Sequence, residues 1–202
     1  MERYPIDAHS LPPQLSILMP NYGGPDLASA FRTVRRNTVQ IAEDIPEDKY
    51  DFVAAPGVQS VSALLRHIAG APVLYEDMHR AKRVTTLKGY DFQAIITRMR
   101  AEEGKPRSKA EIIALLSAEG ERFARWLESL SPNFLAETFT DNTGQTSRTR
   151  FESLLSPKEH EMHHRGQLML IERMLGIVPH LTRQRAARTS SPPVASVGAL
   201  GG

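Results

Sequence analysis

The chain has no cysteine in its 202 residues. That absence removes disulfides, thiolate metal ligands and a cysteine nucleophile together. Aromatic residues make up only 6% of the sequence. They do not interleave with a clustered basic face, so nucleic acid is not an expected partner. No apolar run approaches the roughly 20 residues that a bilayer-spanning helix needs, which excludes a membrane partner of that kind. The opening Met1-Glu2-Arg3-Tyr4-Pro5-Ile6-Asp7 lacks the apolar core of a secretion signal, and the expected setting is cytoplasmic. An excess of one charge is missing too. Lys and Arg number 25 against 23 Asp and Glu, so no broad field steers polyanions or polycations.

What the chain does have is helical period. Its length suits one domain with a real core. Pro5, Pro12, Pro13, Pro20, Pro25 and the pair Gly23-Gly24 mark residues 1–25 as an extended arm. Behind Asp26 as N-cap, the positions Leu27, Phe31, Val34, Ile41 and Ile45 predict a first helix that Pro46 ends. A second helix follows Pro56-Gly57, with Ser60 as cap and a stripe of Val61, Leu64, Leu65, Ile68, Tyr75 and Met78. Pro72 lies inside it and removes the amide hydrogen that would reach the Ile68 carbonyl, which predicts a kink. Asp91 to Arg100 reads as a short helix closed by Gly104-Lys105-Pro106.

Ser108 and Glu111 form a capping box for a third main helix, which Ser131-Pro132 stops. Residues 134–150 read as a small hairpin or a long loop around Asp141-Asn142-Thr143-Gly144. The fourth main helix ends at Leu175. It starts either at the cap signal Ser156-Pro157-Lys158-Glu159 or near Phe151, with Phe151, Leu154 and Leu155 as an earlier turn bent at Pro157. Gly176 suits the left-handed position after it, and Pro179 blocks continuation. From Arg183 the chain has little to bury and reads as a disordered tail over 183–202. The expectation is an all-α fold, a four-helix bundle over 26–182 flanked by arm and tail.

The chemistry concentrates in His160-Glu161-Met162-His163-His164-Arg165-Gly166-Gln167-Leu168. Residues four apart lie about 40° apart on a helix and one turn along it, so the rings of His160 and His164 share a face. With His160 at zero on a wheel of about 100° per residue, Ile171 falls near 20°, Leu168 near 80° and Met174 near −40°. On this reading the apolar face is centred close to the two histidines, and Glu172 and Arg173 point elsewhere. Two inward imidazoles are hard to satisfy with hydrogen bonds alone, and a shared metal ion would satisfy both. His163 falls at the margin of the face, as a rim residue. His67 is the best candidate for a third ligand, although the wheel puts it at the boundary of the second helix's stripe. His9, His79 and His180 read as surface residues.

The same stretch satisfies the H-E-x-x-H pattern of zinc peptidases, whose glutamate is a general base. Its extended form fails, because Gln167 and Leu170 stand where glycine and a third histidine are required.

His160 to Pro179 resembles the last core helix of the DinB/YfiT-like proteins, which carries H-x-x-H-H-R-G-Q-L and ends near a Gly-x-x-Pro turn. Ser60-Val61-Ser62-Ala63-Leu64-Leu65-Arg66-His67-Ile68-Ala69-Gly70 resembles the family's second helix. The resemblance covers roughly residues 27–180. It implies an antiparallel four-helix bundle, often a homodimer. It also implies a divalent metal, nickel or zinc, held by His67, His160 and His164. Three neutral ligands leave positions open for water or substrate, the catalytic arrangement. Relatives include transferases and isomerases that use low-molecular-weight thiols, and others described as hydrolases. The expected function is therefore a metal-dependent enzyme acting on a small molecule through a thiol or water, and the alternative is a non-catalytic metal- or ligand-binding bundle. The resemblance also makes Gln167 a hydrogen bonder behind the ligands, Arg165 a brace for the backbone or a neighbouring helix, and Gly166 a site of close helix approach. Glu161 would be a possible base for water, and no catalytic acid or base is assigned.

Overall fold

The computed structural model describes residues 22–190. Most of the expected arm, with His9, and the end of the expected tail lie outside the described residues.

The first helix, α1, spans Gly24–Asp44. It begins two residues before the expected cap. Asp26 is in its first turn, and its carboxylate accepts from the Gly23 amide at 2.9 Å. The early start brings Gly24 against the end of another helix, where a Cβ would lie 2.5 Å from the Leu127 carbonyl. The second helix runs as α2, Val61–Gly70, and α3, Pro72–Glu76, followed by a wide π-helical turn over Asp77–Ala81. The break falls at Pro72. The Ile68 carbonyl that proline leaves free accepts from Arg35 Nη2 at 3.2 Å.

Helix α4, Phe92–Glu103, is capped by Asp91, and α5, Lys109–Glu128, by the Ser108–Glu111 box. A short α6, Pro132–Ala136, precedes a hairpin of β1, Thr138–Thr140, and β2, Ser147–Thr149. Helix α7, Arg150–Met174, takes the earlier of its two possible starts: Thr149 and Glu152 form its capping box, and Pro157 lies inside it. Gly176 follows at φ 79°, in the left-handed region. The last element corrects the reading of the tail from Arg183. Helix α8 spans His180–Ser190 and is tied back by an Arg183–Asp44 ion pair at 2.6 Å.

The main helices form a four-helix bundle of two antiparallel pairs. Phe31 meets Phe123 with ring centroids 4.9 Å apart, and Lys109 reaches the Ile45 carbonyl at 2.7 Å, so α1 and α5 run in opposite directions. His67 meets His160 and His79 meets Ser153, which makes α2–α3 antiparallel to α7. Across the pairs the helices run parallel, as the contacts Tyr22–Phe151 and Arg35–Glu161 show for α1 and α7. The long connection through α4 is the crossover this order requires.

One side chain reaches all four main helices. Arg35 of α1 is 4% exposed. It donates to both Glu161 oxygens of α7 at 2.9–3.1 Å, to the Leu116 carbonyl of α5 at 2.8 Å and to the Ile68 carbonyl of α2. Gly120 makes room for it, since a Cβ there would lie 2.6 Å from Arg35 Cγ.

Glu161 and Glu172 are both buried, at 2% and 0% exposure, while Met162, Leu170 and Met174 are exposed. The buried face of α7 therefore passes through Leu154, Glu161 and Leu168, about 90° around the wheel from His160. The expectation that the apolar face centres on the histidines, with Glu172 pointing away, is corrected. Buried acids hide this face from a hydrophobicity pattern.

Neither Glu172 carboxylate oxygen has a hydrogen-bond partner among the described residues. Burial, then the Asp44 carboxylate, raises its pKa from 4.5 to about 7. Between those values the folded chain holds a proton that the unfolded chain has released. Stability contributed by the neutral form is thus lost as pH rises through that window, by roughly 3 kcal/mol in all. Glu172→Gln removes this titration. Urea unfolding should find the variant and parent alike at pH 4.5 and the variant more stable by up to roughly 3 kcal/mol at pH 8. A difference that does not change with pH would refute the assignment.

Candidate metal centre

Helix α2 supplies His67, and α7 supplies His160 and His164 one turn apart. The structure brings the three sequence-predicted residues together. His160 Nε2 stands 3.2 Å from His67 Nε2 and 3.1 Å from His164 Nε2. All three candidate ligand atoms lie within 4.8 Å of one another.

The outer nitrogens fix the tautomers of two rings. His67 Nδ1 lies 3.0 Å from Glu103 Oε1, and His164 Nδ1 lies 2.9 Å from Gln167 Oε1. Both oxygens accept, so both Nδ1 atoms carry hydrogen, and the neutral form of either ring, the form that binds a metal, turns its Nε2 lone pair inward. His160 has one Nε2 hydrogen at most and can satisfy only one of them. At least one lone pair is left facing another nitrogen, an arrangement that a cation relieves. Burial first, then the neighbouring imidazoles, holds the His160 pKa down at about 4. Burial also lowers that of His164, against the opposing Gln167 hydrogen bond. Both rings are therefore neutral near pH 7, the form that ligates metal. Tetrahedral zinc–nitrogen bonds of about 2.0–2.1 Å put neighbouring nitrogens about 3.3–3.4 Å apart, close to the two short separations here. The donor set fits a divalent borderline metal such as zinc or nickel.

Two cavities flank the centre. One of about 530 Å³ is lined by His67, His164 and apolar residues including Val58, Leu64, Leu170 and Met174. The other, about 360 Å³, touches His67 and His160 and includes Tyr75, Arg100 and Glu103. Gln59 and His67 line both.

Other expectations end differently. Glu161 cannot act as base at this centre, because its carboxylate is held by Arg35 on a face about 100° away. That removes the peptidase reading of H-E-x-x-H. Gly166 does not serve close helix approach, since a Cβ there would meet nothing within 4 Å. His163 is exposed, and its Nε2 accepts from Gln167 Nε2 at 3.3 Å. His79 and His180, expected at the surface, are 0% and 3% exposed. His79 sits between Ser153 Oγ at 2.9 Å and Arg150 Nη1 at 3.0 Å. Arginine can only donate, so His79 Nδ1 accepts and its Nε2–H points to Ser153. This His–Ser contact is therefore structural, because the imidazole has no free lone pair to activate the hydroxyl. His180 Nε2 meets Asn37 Oδ1 at 3.2 Å. His79 is covered by Phe139 of the hairpin and by the start of α7, and His180 is laid against α1 by α8, an element that the sequence does not announce. Glu103 went unnoticed in the sequence, where one carboxylate in an exposed helix carries no signal.

A family model described as the DinB superfamily matches residues 30–168. Among solved structures, the chain is similar to YfiT from Bacillus subtilis, described as "a probable metal-dependent hydrolase with an unusual four-helix bundle topology". The TM-score is 0.60 at 17% identity, covering 79% of this chain and 91% of that one. It is also similar to YjoA, a DinB-like protein from Bacillus subtilis, with a TM-score of 0.55 at 21% identity over 74% and 91% of the two chains. At these identities the likeness is one of fold. No curated protein matches the chain.

Proposed function

This chain belongs to the DinB superfamily, and from that premise we propose that it is a metal-dependent enzyme whose centre, His67, His160 and His164, activates a small nucleophile against a small-molecule substrate. The observation that carries this reading is the convergence of three Nε2 atoms within 4.8 Å beside open cavities. A divalent cation bound there would supply Lewis acidity and lower the pKa of the incoming nucleophile. The protein's own residues do the rest. Glu103 and Gln167 orient the rings, burial keeps His160 and His164 neutral, and apolar walls limit water around the reacting groups. Three protein ligands leave the centre open. A fourth, which the non-catalytic alternative would favour, does not join the group among the described residues.

Water is the first nucleophile to consider, in line with the hydrolase description of YfiT. A low-molecular-weight thiol has its own support. Glu103 is the sole carboxylate among the residues lining either cavity, and it is engaged with His67. No carboxylate there stands free to take a proton from water, whereas a thiol ionises with less help. The test is turnover by zinc- or nickel-loaded and chelator-stripped protein. One panel holds ester and amide substrates, and a second pairs thiols with electrophiles. Turnover confined to loaded protein is expected, and its dependence on added thiol separates the two nucleophiles. Equal rates with and without metal would sink the proposal, and no turnover by either form would leave a binding role.

A further inference from the structure

The two cavities beside the centre differ in charge. Among the residues lining the larger one, none is an acid, a lysine or an arginine; its walls are Ala54, Val58, Leu64, Leu170, Ile171 and Met174, with Gln59, Gln167 and the histidines at one side. The smaller one holds one cation, Arg100, on the side of the centre that His160 faces. Arg100 stands one turn before Glu103 on α4, so the two side chains are neighbours on one helix face. Glu103 is turned to His67 at 3.0 Å. The arginines around it are committed elsewhere, Arg98 to Asp77 at 3.3 Å and Arg107 to Glu102 at 3.7 Å. The Arg100 guanidinium is exposed and has no hydrogen bond or ion pair among the described residues. Because Gln59 and His67 line both cavities, the three imidazoles sit at the boundary between an uncharged apolar chamber and one that carries the unpaired Arg100 beside a Glu103 already engaged with His67.

We infer that the ligand of this centre is a two-part monoanion. An uncharged apolar group fills the chamber beside His164, and a carboxylate or similar anion on the other side pairs with Arg100. The functional group joining the two parts then lies over the imidazoles. This inference rests on the proposed function for its chemistry, but its binding predictions can be read without turnover. Apolar burial in the larger chamber supplies affinity, and Arg100 supplies choice of charge and orientation.

Hexanoylglycine tests it against two partial probes, hexanoylglycinamide without the charge and acetylglycine without the apolar chain. Each is titrated calorimetrically into zinc-loaded full-length protein. The whole probe should bind about tenfold or more tighter than either partial one. In Arg100→Ala the acid should fall to the affinity of the amide, while the amide's own affinity stays put. In Leu170→Asp, a change at a residue 59% exposed, both hexanoyl probes should weaken. Repeating the series on stripped protein separates this inference from the metal reading. The charge preference should survive metal removal, because Arg100 and not the ion provides it. If zinc binds but acid and amide bind alike, the two-part ligand is wrong and the centre stands. If the preference persists in Arg100→Ala, the carboxylate sits on the cation and the assignment of Arg100 falls. If no probe binds at millimolar concentration, the inference also falls. If zinc fails to bind while the Arg100 preference holds, the metal reading fails alone.

Discussion

Glu161→Ala should destabilise the protein by about 3–5 kcal/mol, because it leaves the Arg35 guanidinium charged, buried and unpaired. Arg35 and Glu161 have side chains 5% and 2% exposed and meet at 2.9 Å. Neither reaches water to recover its hydration. The arginine cannot neutralise itself by losing its proton, so the whole cost falls on the folded state. It also holds the Leu116 and Ile68 carbonyls. A compensated double variant, Arg35→Met with Glu161→Leu, should therefore recover only part of the loss. Apolar replacement of a buried pair is often neutral or stabilising in itself, but here the Ile68 carbonyl, which Pro72 already leaves without a helical donor, loses Arg35 as well, at about 1–3 kcal/mol if it stays dry; the Leu116 carbonyl keeps its bond within the helix. Urea unfolding of parent, single and double variants reads all three. A loss under about 1 kcal/mol for Glu161→Ala would show that water reaches this pair and that it does not bind the bundle together.

Metal binding should fail in His160→Ala. This ring is the middle one of the three, within 3.2 Å of both others, and without it the remaining two nitrogens offer an incomplete site. Wild-type protein should take up one zinc or nickel ion per chain and unfold at higher temperature when loaded. With free metal at about 1,000 times Kd the gain is about 4 kcal/mol. His160→Ala should show neither uptake nor the metal-dependent rise. Glu103→Gln weakens the hydrogen bond that orients His67 and should reduce affinity about 10–100-fold while keeping one ion per chain. His163→Ala should leave uptake nearly intact, since this exposed ring touches the group only through Gln167 and the side of His164. Equal metal affinity in His160→Ala and wild type would remove the three-histidine centre from consideration.

Local signals were the legible ones. The Ser108–Glu111 box, the break at Pro72 and the left-handed Gly176 are each decided within a few residues of chain. So is the placing of His160 and His164 one turn apart. The start of α7 is open in the sequence, between a cap signal at Ser156 and an earlier turn through Phe151, and the structure starts it early, capped by Thr149 with Glu152. The orientation of α7 is hidden from its sequence. Its core face carries Glu161 and Glu172, and a pattern that equates burial with apolarity turns such a helix the wrong way. Arg35 shows why: its partner carboxylate is 126 residues away, and nothing near either residue marks the pair.

The amino-acid sequence alone therefore determined the helices, most of their ends and the pairing of two imidazoles on one turn, because short-range backbone geometry and capping chemistry set these. Only the tertiary structure decided how α2–α3 crosses α7, and with it the arrival of His67, the Glu103 carboxylate behind it and the chambers on either side. Those depend on which helix faces meet, and here buried charge, not apolar period, chose the faces.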